Sequence, residues 1–545
     1  MNSISLSRKR RRKGSERRVR PAWNYVTGSE QTRCAPWRKL KNMSMLPSAK
    51  REVFLSDFRV SKSAMTRRSV LGGAAALAGA GPACALTEKS QVPPDSFTKA
   101  IAEAVTALHE RAPVEVEERV AWTLLDNLAS MLYAGTLARP ISAAAYFAKN
   151  TPGRDAEVLT ADLVSSQTGA ASAMAYLLHA AEIDDSDPRG ELRASAVIMP
   201  ACLAAAQAAD ASGPEFLRAA ALGYTLQGRF VQPVGPVQTR GWMASGVWGP
   251  PAAAAAVSFL RGRPAADIAS SMSLAGSAAG GAFQYYFDQT DEKRIIVARA
   301  ARAAIESADL AALGEHGAAR ILEGRAGLYH LFAGTDAPAL APLTDDLGRL
   351  EGPLYLRPKF FAASHSIIPT LDGLQAAAPS ELDPASIESF IVRGNASWSR
   401  IVARKINDFE PPSSRIGAAL NFSFVVAMWL VRRSVLPGDY TQEAFRDPDI
   451  ISLARSGSFE VNDSDHLSIE IVLRNGERIH AVAQDPDRNA PAPLNAVRRM
   501  NKFNALAGSR LNEERKADLH EHCMDLKNAR SMRAWVRHAQ KLCGA

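Results

Sequence analysis

Lys293 and Arg294 stand side by side where a long Ala-rich run begins, and Arg299, Arg302, Glu306 and Asp309 follow at spacings of three, four and three. On a helix that spacing forms one narrow polar stripe, with Ala, Ile, Leu and Ser at most other positions. Gly314 reads as the stop, because glycine accepts the left-handed conformation of a helix end. Cations in a first turn oppose the helix dipole. Two readings stay open: Asp291 and Glu292 neutralise the pair locally, or the cations join free backbone N–H groups in holding a carboxylate or phosphate.

A second cluster lies at 179–193, HAAEIDDSDPRGELR, with His179, Glu182, Asp184, Asp185, Ser186, Asp187 and Arg193. Four acids in six residues suggest a calcium loop, but the EF-hand spacing and its closing Glu are absent. A solvated helix end is the plain alternative to a reactive cluster. Arg229 in GYTLQGRF (223–230) is either a surface cation or an interior ion-pair partner. His365, in YLRPKFFAASHSIIPTLDGL (355–374), is either a helix-capping or core histidine or a proton carrier close in sequence to Arg357 and Lys359. The five cysteines, Cys34, Cys84, Cys202, Cys523 and Cys543, form no CxxC and no zinc-ligand spacing. The thiols after residue 85 read as buried and idle.

These segments, in this order, resemble the MmgE/PrpD family. It includes 2-methylcitrate dehydratases, cis-aconitate decarboxylases and related isomerases and epimerases of small polycarboxylates. The resemblance covers about 97–507. It rests on the Lys-Arg step into an Ala-rich helix, on ILEGRAGLYHLF (321–332), on AWTLLDNLASMLYAG (121–135) and on the clusters above. It implies catalytic roles for Glu182, Ser186, Lys293 and His365, and substrate binding by Arg193, Arg294 and Lys359. Three positions depart from the family pattern. Arg193 stands where the family has a histidine, and guanidinium does not give up its proton, though it can grip a carboxylate with two hydrogen bonds. Met243 stands at a second histidine position, in RGWMASGVWGPPAAAAA (240–256). Phe424 stands at an active-site tyrosine position, in PPSSRIGAALNFSFVVAMWLV (411–431).

The elements that must position these residues follow from periodicity. Helices are predicted at 97–111, 115–135, 166–182, 193–210, 214–229, 246–261 and 265–281. Strand-like alternation follows at 387–394, 456–462 and 465–483, where Asn475-Gly476 signals a hairpin. Helices at 365–377, 414–434 and 441–454 are interspersed, and 494–507, 511–526 and 529–542 return to helix. The expected fold is mostly α, a large all-helical domain (95–352 and 486–545) with an inserted α+β lid domain (353–485).

The chain has 545 residues and a net charge of +9. Residues 1–68 carry 19 Lys/Arg against four Asp/Glu, and the remainder 46 against 52, so the body is mildly acidic and offers no case for nucleic-acid binding. Residues 1–64 read as a basic disordered leader. Met65 opens what reads as a twin-arginine signal at 65–85: Arg67-Arg68, a short apolar stretch, then Ala83-Cys84-Ala85. The expected location is therefore the periplasm, with no membrane association after cleavage. The resemblance implies a homodimer and proton abstraction next to a carboxylate, by a lyase, isomerase or epimerase of a small di- or tricarboxylate. It implies no metal and no other cofactor. The alternative is a carboxylate-binding protein that has lost its chemistry.

Overall fold

Small side chains let helices approach closely, and the first part of the chain uses them that way. The computed structural model describes residues 96–108, 111–335, 343–484, 487–508 and 510–544. The leader and signal assigned to 1–85 lie outside the described residues. Helices α1 (Phe97–Thr106), α2 (Val114–Ala134), α3 (Ala138–Asn150), α4 (Gln167–Leu178) and α5 (Ser195–Ala209) come first. They are followed by α6 (Gly213–Val231), α7 (Ala244–Leu260), α8 (Ala265–Ser277), the short α9 (Gln284–Asp288) and α10 (Glu292–Ala312). Helix α3 is not among the ranges named from the sequence, though it lies in the stretch that reads as successive helices. Pro140 interrupts the pattern there, yet it falls in the first turn, where a missing N–H costs nothing.

The Ala-rich faces of α4, α5 and α7 are almost wholly buried, and α10 packs on α4, α5, α7 and α8. Helix α10 ends as expected, with Gly314 at φ +97°. Its polar stripe faces outward: Arg302 pairs with Glu306 at 2.6 Å, and Asp309 with Arg261 at 2.8 Å. Gly246 in α7 lies so close to the Gly280 carbonyl that a Cβ would collide with it. That approach lets three backbone hydrogen bonds hook 280–283 onto the start of α7: Gly280 N to Gly246 O (3.0 Å), Met243 N to Gly281 O (2.9 Å) and Phe283 N to Gly241 O (2.8 Å).

A two-residue hairpin, β1 (Ala156–Glu157) with β2 (Val164–Ser165), lies between α3 and α4. The main sheet comes later: β3 (Ile387–Gly394), β4 (Gly457–Val461), β5 (Ser468–Leu473) and β6 (Arg478–Val482), in the order β4-β3-β5-β6. β3 and β4 are parallel and the other pairs antiparallel. Ile387, Phe390 and Val392 bury themselves while Glu388 is exposed, the pattern of a half-covered strand. The β5–β6 turn carries Gly476 at φ +89°, which the hairpin requires. Around the sheet lie α11 (Ile368–Ala377), α12 (Ala396–Trp398), α13 (Arg404–Asn407), α14 (Arg415–Leu420), α15 (Phe422–Arg432) and α16 (Pro448–Arg455). The helix expected at 414–434 breaks in two. The Asn421 side chain accepts from Phe424 N at 3.1 Å and so caps α15.

Helices α17 (Ala496–Ala507), α18 (Glu513–Met524) and α19 (Met532–Cys543) close the chain. α17 and α18 pack on α2, and α19 on α5. The buried Lys502 ammonium of α17 donates to Asp126 Oδ2 of α2 at 2.8 Å. Cys202, Cys523 and Cys543 are free and buried. All described residues fall within one compact unit, mostly helical with a distinct α+β region.

Candidate functional site

The segment between α4 and α5 folds inward, so its acids are not a solvated helix end. His179, Glu182, Asp184, Asp185, Ser186 and Asp187 are all at most 5% exposed. Burying four carboxylates is costly unless each has a partner, and each does. Asp184 Oδ2 meets His179 Nδ1 at 2.8 Å. Asp185 accepts from Ser195 N at 3.2 Å and from the Ser195 hydroxyl. Asp187 Oδ1 accepts from Arg189 N (3.0 Å) and Nε (2.9 Å), closing a local clamp over which Arg189 also covers the Tyr355 ring at 3.9 Å. Glu182 pairs with Lys293.

Glu182 has φ +58°, a left-handed conformation unusual for a non-glycine residue. With that turn, the carboxylate meets Lys293 while the carbonyl accepts from Lys359 Nζ at 3.2 Å. The next carbonyl, Ile183 O, accepts from Lys502 Nζ at 2.6 Å, so α17 also braces this bend. Ser186 pairs through its backbone with Arg357: Ser186 N to Arg357 O is 2.9 Å and Arg357 N to Ser186 O is 2.8 Å. That short antiparallel bridge draws the 355–365 segment against the loop. It carries Lys359 in, and it leaves His365 Nδ1 3.4 Å from Ser186 Oγ.

Lys359 is 2% exposed; burial, then the charge of Arg193, pushes its ammonium down to about 7. Burial would raise Glu182, but Lys293 and then Lys359 overcome it and hold the carboxyl at about 2. Burial lowers Lys293 as well, opposed by the Glu182 carboxylate it touches. His365 lies well below its ordinary value, through burial and then the cations Arg193, Lys359, Arg357 and Arg488. It is therefore a neutral imidazole near pH 7. Burial pushes Asp185 up to about 7 against the hydrogen bond from Ser195, and the charges of Asp126 and Asp184 add to the rise.

Arg193 is held at its backbone, where its N–H donates to Ser245 Oγ at 2.7 Å. Its Nη1 is buried and without a hydrogen-bond partner, and no acid among the described residues forms an ion pair with it. The structure thus brings Glu182, Ser186, Lys293, Lys359, His365 and Arg193 into one cluster, the chamber of the proposed function. Arg294 is not among them. It pairs with Asp291 at 2.8 Å and lines an open pocket of about 440 Å³ with Arg139, Ser142 and Tyr176. Met243 is 3% exposed and precedes α7, and Phe424 is fully buried against Phe445 at 5.9 Å. Arg229 is an interior cation, bound to Glu351 at 2.9 Å.

Sequence reasoning missed two contributors. Lys502 has partners 376 and 319 residues away, and nothing local marks it. Tyr285, whose hydroxyl feels the charges of Arg193 and Glu182, sits in an aromatic run, FQYYF, that reads as core.

The chemistry available is proton transfer beside bound carboxylates. The cations suit a carboxylate, and beside them lie Lys359, whose ammonium is pushed down to about 7, and the neutral imidazole of His365. A protein from Aspergillus oryzae described as cis-aconitate decarboxylase-like is 26% identical over 471 residues, covering 82% of this chain and 97% of that protein. Residues 99–341 match the MmgE/PrpD N-terminal domain and 361–526 the MmgE/PrpD C-terminal domain, the first carrying the 179–193 loop and Lys293, the second His365; with both halves present in order, the chain belongs to the MmgE/PrpD family.

Proposed function

We propose that this chain is an enzyme acting on a small di- or tricarboxylate, removing the proton next to a carboxylate. The observation that carries the reading is the Arg193 guanidinium, with a buried and unpartnered Nη1 in a chamber whose other cations are Lys293 and Lys359. A buried donor without a partner costs about 1–3 kcal/mol, a cost that a bound carboxylate removes. Arg193 and Lys293 hold the acid. Lys359, neutral in half its population near pH 7, takes the proton, and its electron pair flows toward the carboxylate gripped by the cations. In a dehydration the carbanion expels a β-hydroxyl, which leaves as water with a proton from the site. In an isomerase or epimerase the carbanion takes a proton back. In a decarboxylation no proton is removed first: the bond to carbon dioxide breaks, its electron pair stays on the carbon, and that carbon takes a proton from the site. Lys359, an ammonium after the first step, holds a proton for that second transfer, and His365, a neutral imidazole with Ser186 beside it, is placed to hydrogen-bond the substrate. The decarboxylase-like relative favours the lyase outcome.

We also propose that the chain is exported through the segment at 65–85, that it works as a homodimer, and that 353–485 closes over the chamber as a lid. Isothermal titration with a panel of di- and tricarboxylates tests the binding half of this reading. Wild type is expected to bind at least one acid, and Arg193→Ala to bind it at least tenfold more weakly. Equal binding by both proteins would remove Arg193 from the site. Tight binding with neither proton exchange nor turnover would leave a carboxylate-binding protein.

A further inference from the structure

The family resemblance marks three lost proton-handling groups, at Arg193, Met243 and Phe424, and the last two positions are filled by buried apolar side chains. A tyrosine elsewhere in the chain offers the hydroxyl that α15 lacks. Tyr285 of α9 is 8% exposed, and its hydroxyl has no hydrogen-bond partner among the described residues. Of the four other buried tyrosines, three have hydroxyls engaged by protein: Tyr224 with Ser195 (2.7 Å), Tyr329 with the Phe230 carbonyl (3.1 Å) and Tyr440 with the Ala362 carbonyl (2.6 Å); the fourth, Tyr176, lines the open pocket beside Arg294.

The position of Tyr285 is fixed by backbone contacts. Residues 280–283 are hooked to 241–246, the stretch that carries Met243, and Thr290 N donates to Tyr285 O at 3.1 Å. The Phe283 ring packs edge-on against Tyr285 with centroids 5.3 Å apart. Arg193 and Glu182 are both close enough for their charges to act on the hydroxyl. Arg193 N donates to Ser245 Oγ at 2.7 Å within the same 241–246 stretch, so the start of α9 and Arg193 are held against one segment.

We propose that Tyr285 is a catalytic residue whose hydroxyl donates a hydrogen bond to the substrate oxygen on which negative charge develops. The proposal rests on the acid–base function given above. Burial holds the phenol well above its ordinary value, so it keeps its proton and acts as a donor, not as a base. A donor aimed at developing charge acts mainly on the transition state, so its loss lowers kcat and leaves KM nearly unchanged. It replaces in function, from α9, a group the family segment would place at 424.

The test is Tyr285→Phe, which keeps the ring and its packing on Phe283. With the carboxylate that wild type turns over, kcat is expected to fall about 100-fold, the scale for one such donor. KM should stay within about threefold and Tm unchanged. A kcat equal to that of wild type, while Lys293→Ala abolishes turnover, overturns the role of Tyr285 and leaves the proposed function standing. A fall in kcat matched by a fall in Tm also overturns it, because the hydroxyl would then be structural. If wild type neither binds nor converts any acid of the panel, the proposed function fails and the role of Tyr285 with it.

Discussion

Lys293 and Lys359 share Glu182 but are held differently, and the difference assigns their work. Lys293 is paired with the carboxylate, which favours its charged form. Lys359 meets the Glu182 carbonyl at 3.2 Å and the carboxylate only at 4.0 Å, with Arg193 opposing its charge. Lys293→Ala should therefore weaken carboxylate binding by about 1.5–3 kcal/mol, the scale of a charged hydrogen bond. Titration calorimetry measures it, and unchanged affinity would place Lys293 outside the binding site. Lys359 must be neutral to accept a proton. The sign follows: kcat/KM should rise as pH rises through about 7, where Lys359 loses its proton, and level off above it. Lys359→Arg, which cannot deprotonate usefully, should abolish that rise along with most of the turnover. A pH profile that keeps the same inflection in the arginine variant would assign the base elsewhere.

The elements that present these residues are held at long range, and that limits how far the sequence shows them. The helix from Lys293 to its stop at Gly314 was legible, because a capped, periodic, Ala-rich run needs only local information. The Asn475-Gly476 hairpin was legible for the same reason. The inward fold of 179–193 was not: its acids look solvated until Lys293, Ser195 and Arg189 are set beside them. The divergence of Lys293 from Arg294 was equally hidden, since adjacent helix positions face different directions and the sequence does not say which face meets the chamber. Lys502 is the clearest case of a site support invisible locally. It joins α17 to α2 through Asp126 and to the bend at Ile183. Lys502→Ala leaves Asp126 buried and unpaired, so it should lower stability by about 3–5 kcal/mol. Urea unfolding measures this. A loss below 1 kcal/mol would mean that α17 does not brace the loop.

At the scale of the whole molecule, the described residues make one compact unit, with α17, α18 and α19 returning to the helices that open it. If 353–485 is an insertion, limited proteolysis should cut first near 353 and 485, and the C-terminal helices should stay with the first body after cutting. Their clean separation from that body would contradict the division. A homodimer predicts twice the chain mass by light scattering at micromolar concentration, and a monomer would count against it. Export through 65–85 predicts a mature N-terminus at Leu86 in protein isolated from the native periplasm. A mature chain that begins upstream would remove the signal assignment.

The central claim is that one chamber, built by Glu182, Lys293, Lys359, His365 and Arg193, grips a polycarboxylate and moves the proton beside its carboxylate. Proton NMR in deuterated water, with a panel of small di- and tricarboxylates and wild-type protein, tests it most directly. The account predicts that at least one acid loses its α-proton signal to deuterium or is converted to product, and that Lys359→Arg stops the change while still binding that acid. Exchange at the wild-type rate in Lys359→Arg, or no exchange and no conversion of any acid that wild type binds, would contradict it.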